Sequence, residues 1–151
     1  MKIDIIGLGY VGLISGLCLA DKGHTVTCHD INKKNINNIN KIKPHFFEPG
    51  LQNILKKNIL NKNFFAKHLS KKTSFTSNII IIAVGTPSKN KKIDLSQIKN
   101  SIKFIAKYIK DKDTFFSIII KSTVPPSTTD TYVKKIIEKY SNKKLSKNEF
   151  G

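Results

Sequence analysis

The sequence predicts an α/β fold in which helices cover both faces of a doubly wound parallel sheet. Three observations support this prediction. Apolar runs rich in β-branched residues alternate with amphipathic helical patterns along the whole chain. The run at residues 79–84 is almost continuously β-branched, which is typical of a parallel strand buried on both faces. The first strand leads directly into a glycine-rich turn that is followed by a helical pattern.

Each predicted element follows from a local pattern and its boundary signals. Pro44 ends the second helical pattern, and Glu48 with Pro49 suits the start of the third. Asp94 and Gln97 resemble a capping box before the fourth. Either Thr128 or Thr129 is a candidate cap for the last helix, and the tail offers at most one short strand. In chain order we predict strand 2–6, helix 10–21, strand 25–29, helix 31–42, helix 51–59, strand 64–66, a weak helix or loop to 77, strand 79–84, helix 95–109, strand 114–120 and a helix that includes 133–140.

The charge of the chain is high, but its distribution argues against a nucleic-acid partner. The 151 residues include 27 lysines, no arginine and 10 acidic side chains, which gives a net charge of +17. The lysines are spread over the chain without a basic stripe interleaved with aromatic residues, and Asn and Ile are abundant beside them. Because all three residue types have A/T-rich codons, a drifting A/T-rich genome explains the excess. We therefore predict a solvated lysine surface.

Length and cysteine content indicate one domain from a reducing compartment. A chain of 151 residues suffices for one domain with a proper core. Cys18 and Cys28 are too few for a disulfide framework, and each is expected to pack as a small core side chain within its element. No signal peptide or membrane-spanning run is visible in the sequence. We therefore expect a cytoplasmic protein without a membrane partner.

The glycines of the first turn predict a dinucleotide-binding βαβ unit of the Rossmann type. Residues 2–12 read KIDIIGLGYVG, with the spacing G-x-G-x-x-G at Gly7, Gly9 and Gly12. In such a unit the first glycine permits a tight turn, the second admits a pyrophosphate close to the backbone, and the third lets the helix pack on the strand. The helix that begins here directs its free N–H groups at the phosphates.

Polar residues at the ends of three strands complete the predicted site. Asp30 ends the second strand, where an acid accepts hydrogen bonds from the adenosine ribose and repels a 2′-phosphate. NAD is therefore favoured over NADP, although Lys33 and Lys34 lie close enough in sequence to tolerate the extra phosphate. Thr86 and Thr123 follow later strands and either face the nicotinamide half of the cofactor or serve as plain turn residues.

The sequence predicts neither a metal site nor a complete catalytic apparatus. The four histidines lack the spacing of metal ligands. No nucleophile is visible beside a base that could activate it. The cofactor that we expect is NAD alone.

Four blocks of sequence together resemble the nucleotide-sugar 6-dehydrogenases, most closely those that act on UDP-glucose. The blocks read IIGLGYVGL at 5–13, FEPGL at 47–51, AVGTP at 83–87 and KSTVPP at 121–126. They cover nearly the whole chain in the order and spacing of that family. Relatives that act on GDP-mannose or UDP-N-acetylmannosamine share the first and fourth blocks, so their substrates are the alternatives.

The resemblance implies an oxidation of the sugar C6 alcohol to a carboxylate by two NAD and a water, with an intermediate held on a cysteine. It implies catalytic roles for Thr123 and for Glu149, whose NEF context is similar to the N-P-E-F-L block of the family. The chain departs from the family pattern at Asn35, usually a lysine, at Ser127, usually a glycine, and after Asn148, where a proline is absent. The cofactor-binding residues that the resemblance implies are Gly7, Gly9, Tyr10, Val11, Gly12, Asp30, Thr86 and Thr123.

The resemblance also implies that residues 1–151 are an NAD-binding domain truncated at its C-terminal end. The central helix and the UDP-sugar-binding domain of the family, which supply the nucleophilic cysteine, are expected to be absent. We therefore expect a chain that binds NAD and is inactive by itself. The alternative is a non-catalytic NAD-binding remnant of a decayed gene. For the full-length family the resemblance implies homo-oligomers that bind a nucleotide sugar, and it implies no oligomeric state for this chain.

Overall fold

A five-stranded parallel sheet forms the centre of the computed structural model, which describes residues 1–89 and 92–151. The strands of the chain are β1 (Lys2–Ile6), β2 (Thr25–Asp30), β3 (Phe64–His68), β4 (Ile79–Ile82), β5 (Ser88–Lys89), β6 (Lys92–Ile93) and β7 (Ser117–Ile120). The sheet has the order β3-β2-β1-β4-β7, and β5 pairs with β6 as a separate antiparallel ribbon. All neighbours in the large sheet are parallel, and Ile5 of β1 lies between Cys28 and Ile81. The strand order reverses between β1 and β4, where such sheets bind ligands.

Helices cover both faces of the sheet, as the sequence predicts. The helices are α1 (Tyr10–Asp21), α2 (Lys33–Asn40), α3 (Leu51–Leu60), α4 (Ser96–Ile109) and α5 (Lys134–Ser141). One core joins α1, α2 and α3 to Ile3 and Ile5 of β1, and a second core joins α4 and α5 to Ile6 of the same strand. The alternation of side chains along a strand explains why one strand serves both cores. The predicted doubly wound α/β fold is therefore confirmed.

Close packing between α1 and the sheet depends on a glycine that the motif does not include. A Cβ on Gly16 would lie 2.9 Å from Cys28 Sγ and 2.9 Å from a ring carbon of Phe64. Cys28 is fully buried, as expected. Cys18, in contrast, is exposed, so the expectation that it packs in the core was wrong. Helix α1 carries apolar residues on nearly all sides, and its sequence therefore does not show which side faces the sheet.

The ends of several elements differ from the predicted ends. Strand β4 ends at Ile82 and β7 begins at Ser117, so both are shorter than predicted. The last helix begins as a π-helix, Thr128–Val133, which has no side-chain cap. The hydroxyl of Thr128 instead donates to the carbonyl of Pro125 (2.7 Å), and the predicted threonine cap was wrong. A short 3₁₀ helix, Leu145–Lys147, follows α5.

The tail contributes a short parallel pairing at the edge of β7. Phe150 pairs with Phe116, and the amide of Gly151 donates to the carbonyl of Phe116 (2.9 Å). The amide of Ile118 donates to Gly151 in return. Because Phe116 precedes β7, this contact lies at the amino-terminal end of the sheet. Phe150 is buried in the second core.

A buried carboxylate anchors the connection from β3 to β4, which contains no helix among residues 69–78. Asp4 is fully buried, and one of its oxygens accepts hydrogen bonds from the amides of Thr76 (2.7 Å) and Ser77 (2.8 Å). Its other oxygen accepts from Nε2 of the buried His29 (2.7 Å). Phe75 packs edge-on against the His29 ring, with 5.4 Å between the centroids. The crossover is thus attached to the middle of β1 through Asp4 and packs against the carboxyl-terminal end of β2 at His29.

Within the described residues, no helix is both long enough and apolar enough to cross a membrane.

We predict that Asp4→Ala lowers the free energy of unfolding by about 3 kcal/mol, because it leaves several buried donors without an acceptor. Urea denaturation at neutral pH measures the change. The matched variant Asp111→Ala removes an exposed carboxylate and is expected to change stability by less than about 0.5 kcal/mol. Equal stability of the two variants would contradict the anchoring role of Asp4.

Candidate functional site

A cavity of about 660 Å³ opens at the carboxyl ends of β1, β2 and β4. Its position is the point where the strand order reverses, as expected for a ligand site in a doubly wound sheet. The cavity lies among five parts of the chain: the turn after β1, the end of β2 with the start of α2, the β3–β4 crossover, the segment after β4 and the first half of α4. Its apolar walls include Leu69, Val84 and Phe104. These surfaces suit a flat, partly apolar group.

Two of the three glycines of the motif are required by the protein itself. Gly7 has a φ of +106°, and a Cβ there would overlap the carbonyl of Ala83, the residue that follows the neighbouring strand β4. A Cβ on Gly12 would overlap the carbonyl oxygen of Gly7. The turn after β1 and the first turn of α1 therefore pack without room for a side chain on either residue.

Gly9 differs from its two neighbours in the motif, because a Cβ there would meet no atom within 4 Å. Gly9 is exposed, lines the cavity and adopts extended dihedrals (φ −75°, ψ −169°) that any residue tolerates. Neither packing nor backbone conformation explains why a glycine stands there. The free space over Gly9 is what a ligand needs in order to approach the backbone closely, and the residues present therefore fit a bound pyrophosphate.

The N-terminus of α1 has no side-chain cap. Gly9 is the N-cap residue, and the first intrahelical hydrogen bond runs from the amide of Leu13 to the carbonyl of Gly9 (2.9 Å). The amides of Tyr10, Val11 and Gly12 precede this bond and carry the positive end of the helix dipole. An anion beside Gly9 would meet these donors.

Asp30 is held in a fixed orientation at the edge of the cavity. One carboxylate oxygen accepts from the amide of Leu8 (2.6 Å) and the other from the amide of Asn32 (2.7 Å). Asn32 in turn caps α2 by accepting from the amides of Lys34 and Asn35. Each carboxylate oxygen retains a further acceptor direction, so Asp30 can receive two more donors, as a ribose diol provides.

The structure brings most of the predicted site residues to one edge of the sheet. Gly7, Gly9 and Asp30 line the cavity directly. Thr86 is half-buried and follows Gly85, which also lines the cavity, whereas Thr123 is exposed after β7. Tyr10 and Val11 are exposed and Gly12 is buried in the first turn of α1.

Glu149 is not brought to this edge. Its carboxylate accepts a hydrogen bond from the amide of Lys144 (2.7 Å), within the same tail segment. The neighbouring Phe150 pairs with Phe116, at the amino-terminal end of β7 and thus at the end of the sheet opposite the cavity. The catalytic role of Glu149 stays a prediction from the resemblance, and this arrangement does not support it.

Several residues at the site were not singled out by sequence reasoning. The hydroxyl of Ser122 donates to the carbonyl of Val84 (2.7 Å) and connects the loops that carry Thr86 and Thr123. Lys71 of the crossover lines the cavity. Asn35, noted above only as a departure from the family pattern, lines it as well, whereas the exposed Lys33 and Lys34 do not. The only signal for such residues was their position within the KSTVPP block or next to a strand end.

The two cysteines are both outside the cavity lining. Burial raises the pKa of the Cys28 thiol, and the nearby carboxylates of Asp4 and Asp30 raise this pKa further. Cys28 therefore stays protonated near neutral pH and is a poor nucleophile. Within residues 1–89 and 92–151, no group of three or more His, Cys, Asp or Glu side chains is placed to hold a metal ion.

Comparisons with known proteins agree with this geometry. Residues 1–151 match the model of the UDP-glucose/GDP-mannose dehydrogenase family, NAD binding domain. The chain is 41% identical over 131 residues to the UDP-glucose 6-dehydrogenase YwqF of Bacillus subtilis, which covers 86% of this chain and 29% of that protein. It is 36% identical over 145 residues to the GDP-mannose 6-dehydrogenase of Pseudomonas syringae pv. tomato, covering 95% of this chain and 33% of that protein.

A solved structure has the same fold. A ternary complex of GDP-mannose dehydrogenase from Pseudomonas aeruginosa superposes with a TM-score of 0.92 at 35% identity and covers 100% of this chain and 35% of that chain. The chain thus spans about a third of the length of the relatives that it matches. Family model, fold and cavity agree, and the chain belongs to the UDP-glucose/GDP-mannose dehydrogenase family as its NAD-binding domain.

Proposed function

We propose that this chain holds NAD in the cavity at the carboxyl ends of β1, β2 and β4, as the cofactor half of a nucleotide-sugar 6-dehydrogenase. The observation that carries the proposal is the free space over Gly9, beside an uncapped helix N-terminus and within the same cavity as Asp30. A diphosphate placed over Gly9 meets backbone donors, and a ribose on the β2 side meets a carboxylate acceptor. When it is bound, NAD supplies the hydride acceptor of the reaction.

Each predicted cofactor-binding residue has a part in this proposal. Gly7 and Gly12 shape the turn, Gly9 admits the diphosphate, and the amides of Tyr10 and Val11 donate to it. Asp30 accepts from the adenosine ribose hydroxyls. Thr86 and Thr123 lie farther along the same edge and are assigned to the nicotinamide half, where the reacting carbon of the sugar would approach.

NAD is the proposed cofactor rather than NADP because of the charge at Asp30. The 2′-phosphate of NADP would have to lie next to the Asp30 carboxylate, and the two negative charges would repel each other. Lys33 and Lys34 are both exposed, and neither lines the cavity where it could neutralise such a phosphate. Lys71 does line the cavity, on the crossover side.

UDP-glucose is the proposed sugar nucleotide of the enzyme to which this domain corresponds. The support is the 41% identity to a UDP-glucose 6-dehydrogenase and the FEPGL and AVGTP blocks. GDP-mannose is the second candidate, favoured by the TM-score of 0.92 with a GDP-mannose dehydrogenase. The third hypothesis is a non-catalytic remnant that binds NAD at the same site as the first two.

The first test is the affinity for NAD. We expect Asp30→Ala to weaken NAD binding about ten- to hundredfold in isothermal titration calorimetry, because hydrogen bonds to a charged acceptor are lost. The preference for NAD over NADP should narrow in the same variant, since the repulsion of the 2′-phosphate is removed. Asp111→Ala serves as the matched control with unchanged affinity. Equal affinities of the two variants would argue against the ribose contact.

The second test separates the glycines by their surroundings. We expect Gly9→Ala to melt close to the wild-type temperature and to bind NAD at least about tenfold more weakly, because its methyl group enters the ligand space only. Gly12→Ala should lose about 2 kcal/mol or more of stability, because its methyl group overlaps backbone. Thermal melts and calorimetry measure both effects. Wild-type NAD affinity in Gly9→Ala would overturn the diphosphate assignment.

The third test concerns chemistry. We expect the 151-residue chain to form no NADH when NAD is mixed with UDP-glucose or with GDP-mannose, because the family mechanism uses a cysteine and neither Cys18 nor Cys28 lines the cavity. Absorbance of NADH is the readout. Formation of NADH with one of the two sugars would contradict the expected inactivity and would identify the substrate.

A further inference from the structure

The FEPGL block contacts Tyr10, the first residue of α1. The proposed function does not explain this contact. The hydroxyl of Tyr10 donates to a carboxylate oxygen of Glu48 (2.9 Å). The ring of Tyr10 lies against Phe46, with 4.9 Å between centroids, and Phe46 is in edge contact with His45. The segment 45–50 thus holds the Tyr10 side chain by one polar contact and one aromatic contact.

The position of Glu48 is determined by the start of α3. Gly50 has a φ of +78°, which favours glycine, and it is the N-cap residue of α3. The amide of Leu51 donates to the carbonyl of Glu48 (3.1 Å). Leu51 is buried in the same core as Leu13 of α1. The backbone that carries Glu48 is therefore tied to the helix that Tyr10 begins.

Tyr10 directly follows Gly9, and its backbone amide is the first of the proposed diphosphate donors. The other side of the turn is held by β2, since the amide of Gly7 donates to the carbonyl of His29 (2.8 Å) and that of Leu8 to Asp30 (2.6 Å). The contact with the segment 45–50 is the corresponding restraint on the helix side. A donor that is fixed in place before binding loses less conformational freedom when the ligand arrives.

We propose that Glu48 is a positioning residue for the cofactor, which acts through the Tyr10 hydroxyl to fix the first turn of α1 in its diphosphate-binding geometry. This inference rests on the proposed NAD site. Glu48 also raises the pKa of Tyr10, chiefly through their hydrogen bond and then through its negative charge. The phenol therefore keeps its proton and remains a donor throughout the neutral pH range.

A hydrogen-bond role and a charge role make opposite predictions for Glu48→Gln. Glutamine keeps a carbonyl oxygen that can accept from the Tyr10 hydroxyl, and it removes the negative charge. If the hydrogen bond is what matters, Glu48→Gln binds NAD within about twofold of the wild type. Glu48→Ala removes the acceptor and Tyr10→Phe removes the donor, while both leave every backbone amide in place.

The experiment is a double-mutant cycle for NAD affinity, measured by calorimetry on the 151-residue chain, with urea denaturation of each variant. We expect Glu48→Ala and Tyr10→Phe each to weaken NAD binding about fivefold, from the loss of one hydrogen bond. The double variant should bind as weakly as either single variant, because both remove the same contact. Glu138→Ala on α5 is the matched control, with unchanged affinity.

Three results would overturn the role of Glu48 while leaving the NAD site intact. They are wild-type affinity in Glu48→Ala, an equal loss in Glu48→Gln, and losses that multiply to about twenty-five-fold in the double variant. A wild-type chain that does not bind NAD would refute the proposed site itself, and with it the positioning role. Tyr10→Phe keeps its ring against Phe46, so it still reports on the hydrogen bond should Glu48→Ala fail to fold.

Discussion

The close contact between the turn after β1 and the backbone after β4 determines the rest of the site. Gly7 approaches Ala83 and Gly12 approaches Gly7 so closely that no side chain fits on either glycine. This packing sets the direction in which α1 leaves the sheet and brings its uncapped N-terminus to the cavity. Because β4 is the neighbour of β1 on the side where the strand order reverses, the same contact places the cavity at that point.

Much of the fold and part of the site could be predicted because their causes are local. The β-branched run before Ala83 and the spacing of the glycines depend only on neighbouring residues. Asp4 was missed because its partners are distant in sequence, with His29 lying 25 residues away and Thr76 72 residues away. A charged residue within an otherwise apolar strand was the available signal, since such a strand is buried on both faces.

The expectations for Glu149 and Cys18 relied on local sequence without its surroundings; that for Cys18 was wrong, and that for Glu149 stays a prediction. The NEF triplet would bring Glu149 to the site only if this segment reached the cavity end of the sheet. The pairing of Phe150 with Phe116 instead lies at the amino-terminal end of β7, opposite the cavity. Cys18 lies in a helix that is apolar on nearly all sides, between positions that are largely buried, so no periodicity marked it as exposed. In both cases the deciding information is a contact between distant parts of the chain.

The two edges of the sheet are protected in different ways. The edge at β7 is covered in part by Phe150 and Gly151, whereas β3 has no neighbouring strand beyond it among the described residues. Unpaired strand edges promote association between copies, and lysines on such an edge oppose it. β3 carries the exposed Lys67, on a molecule with a net charge of +17. This charge opposes edge-to-edge pairing of β3 strands from two copies, and dissolved salt screens the repulsion.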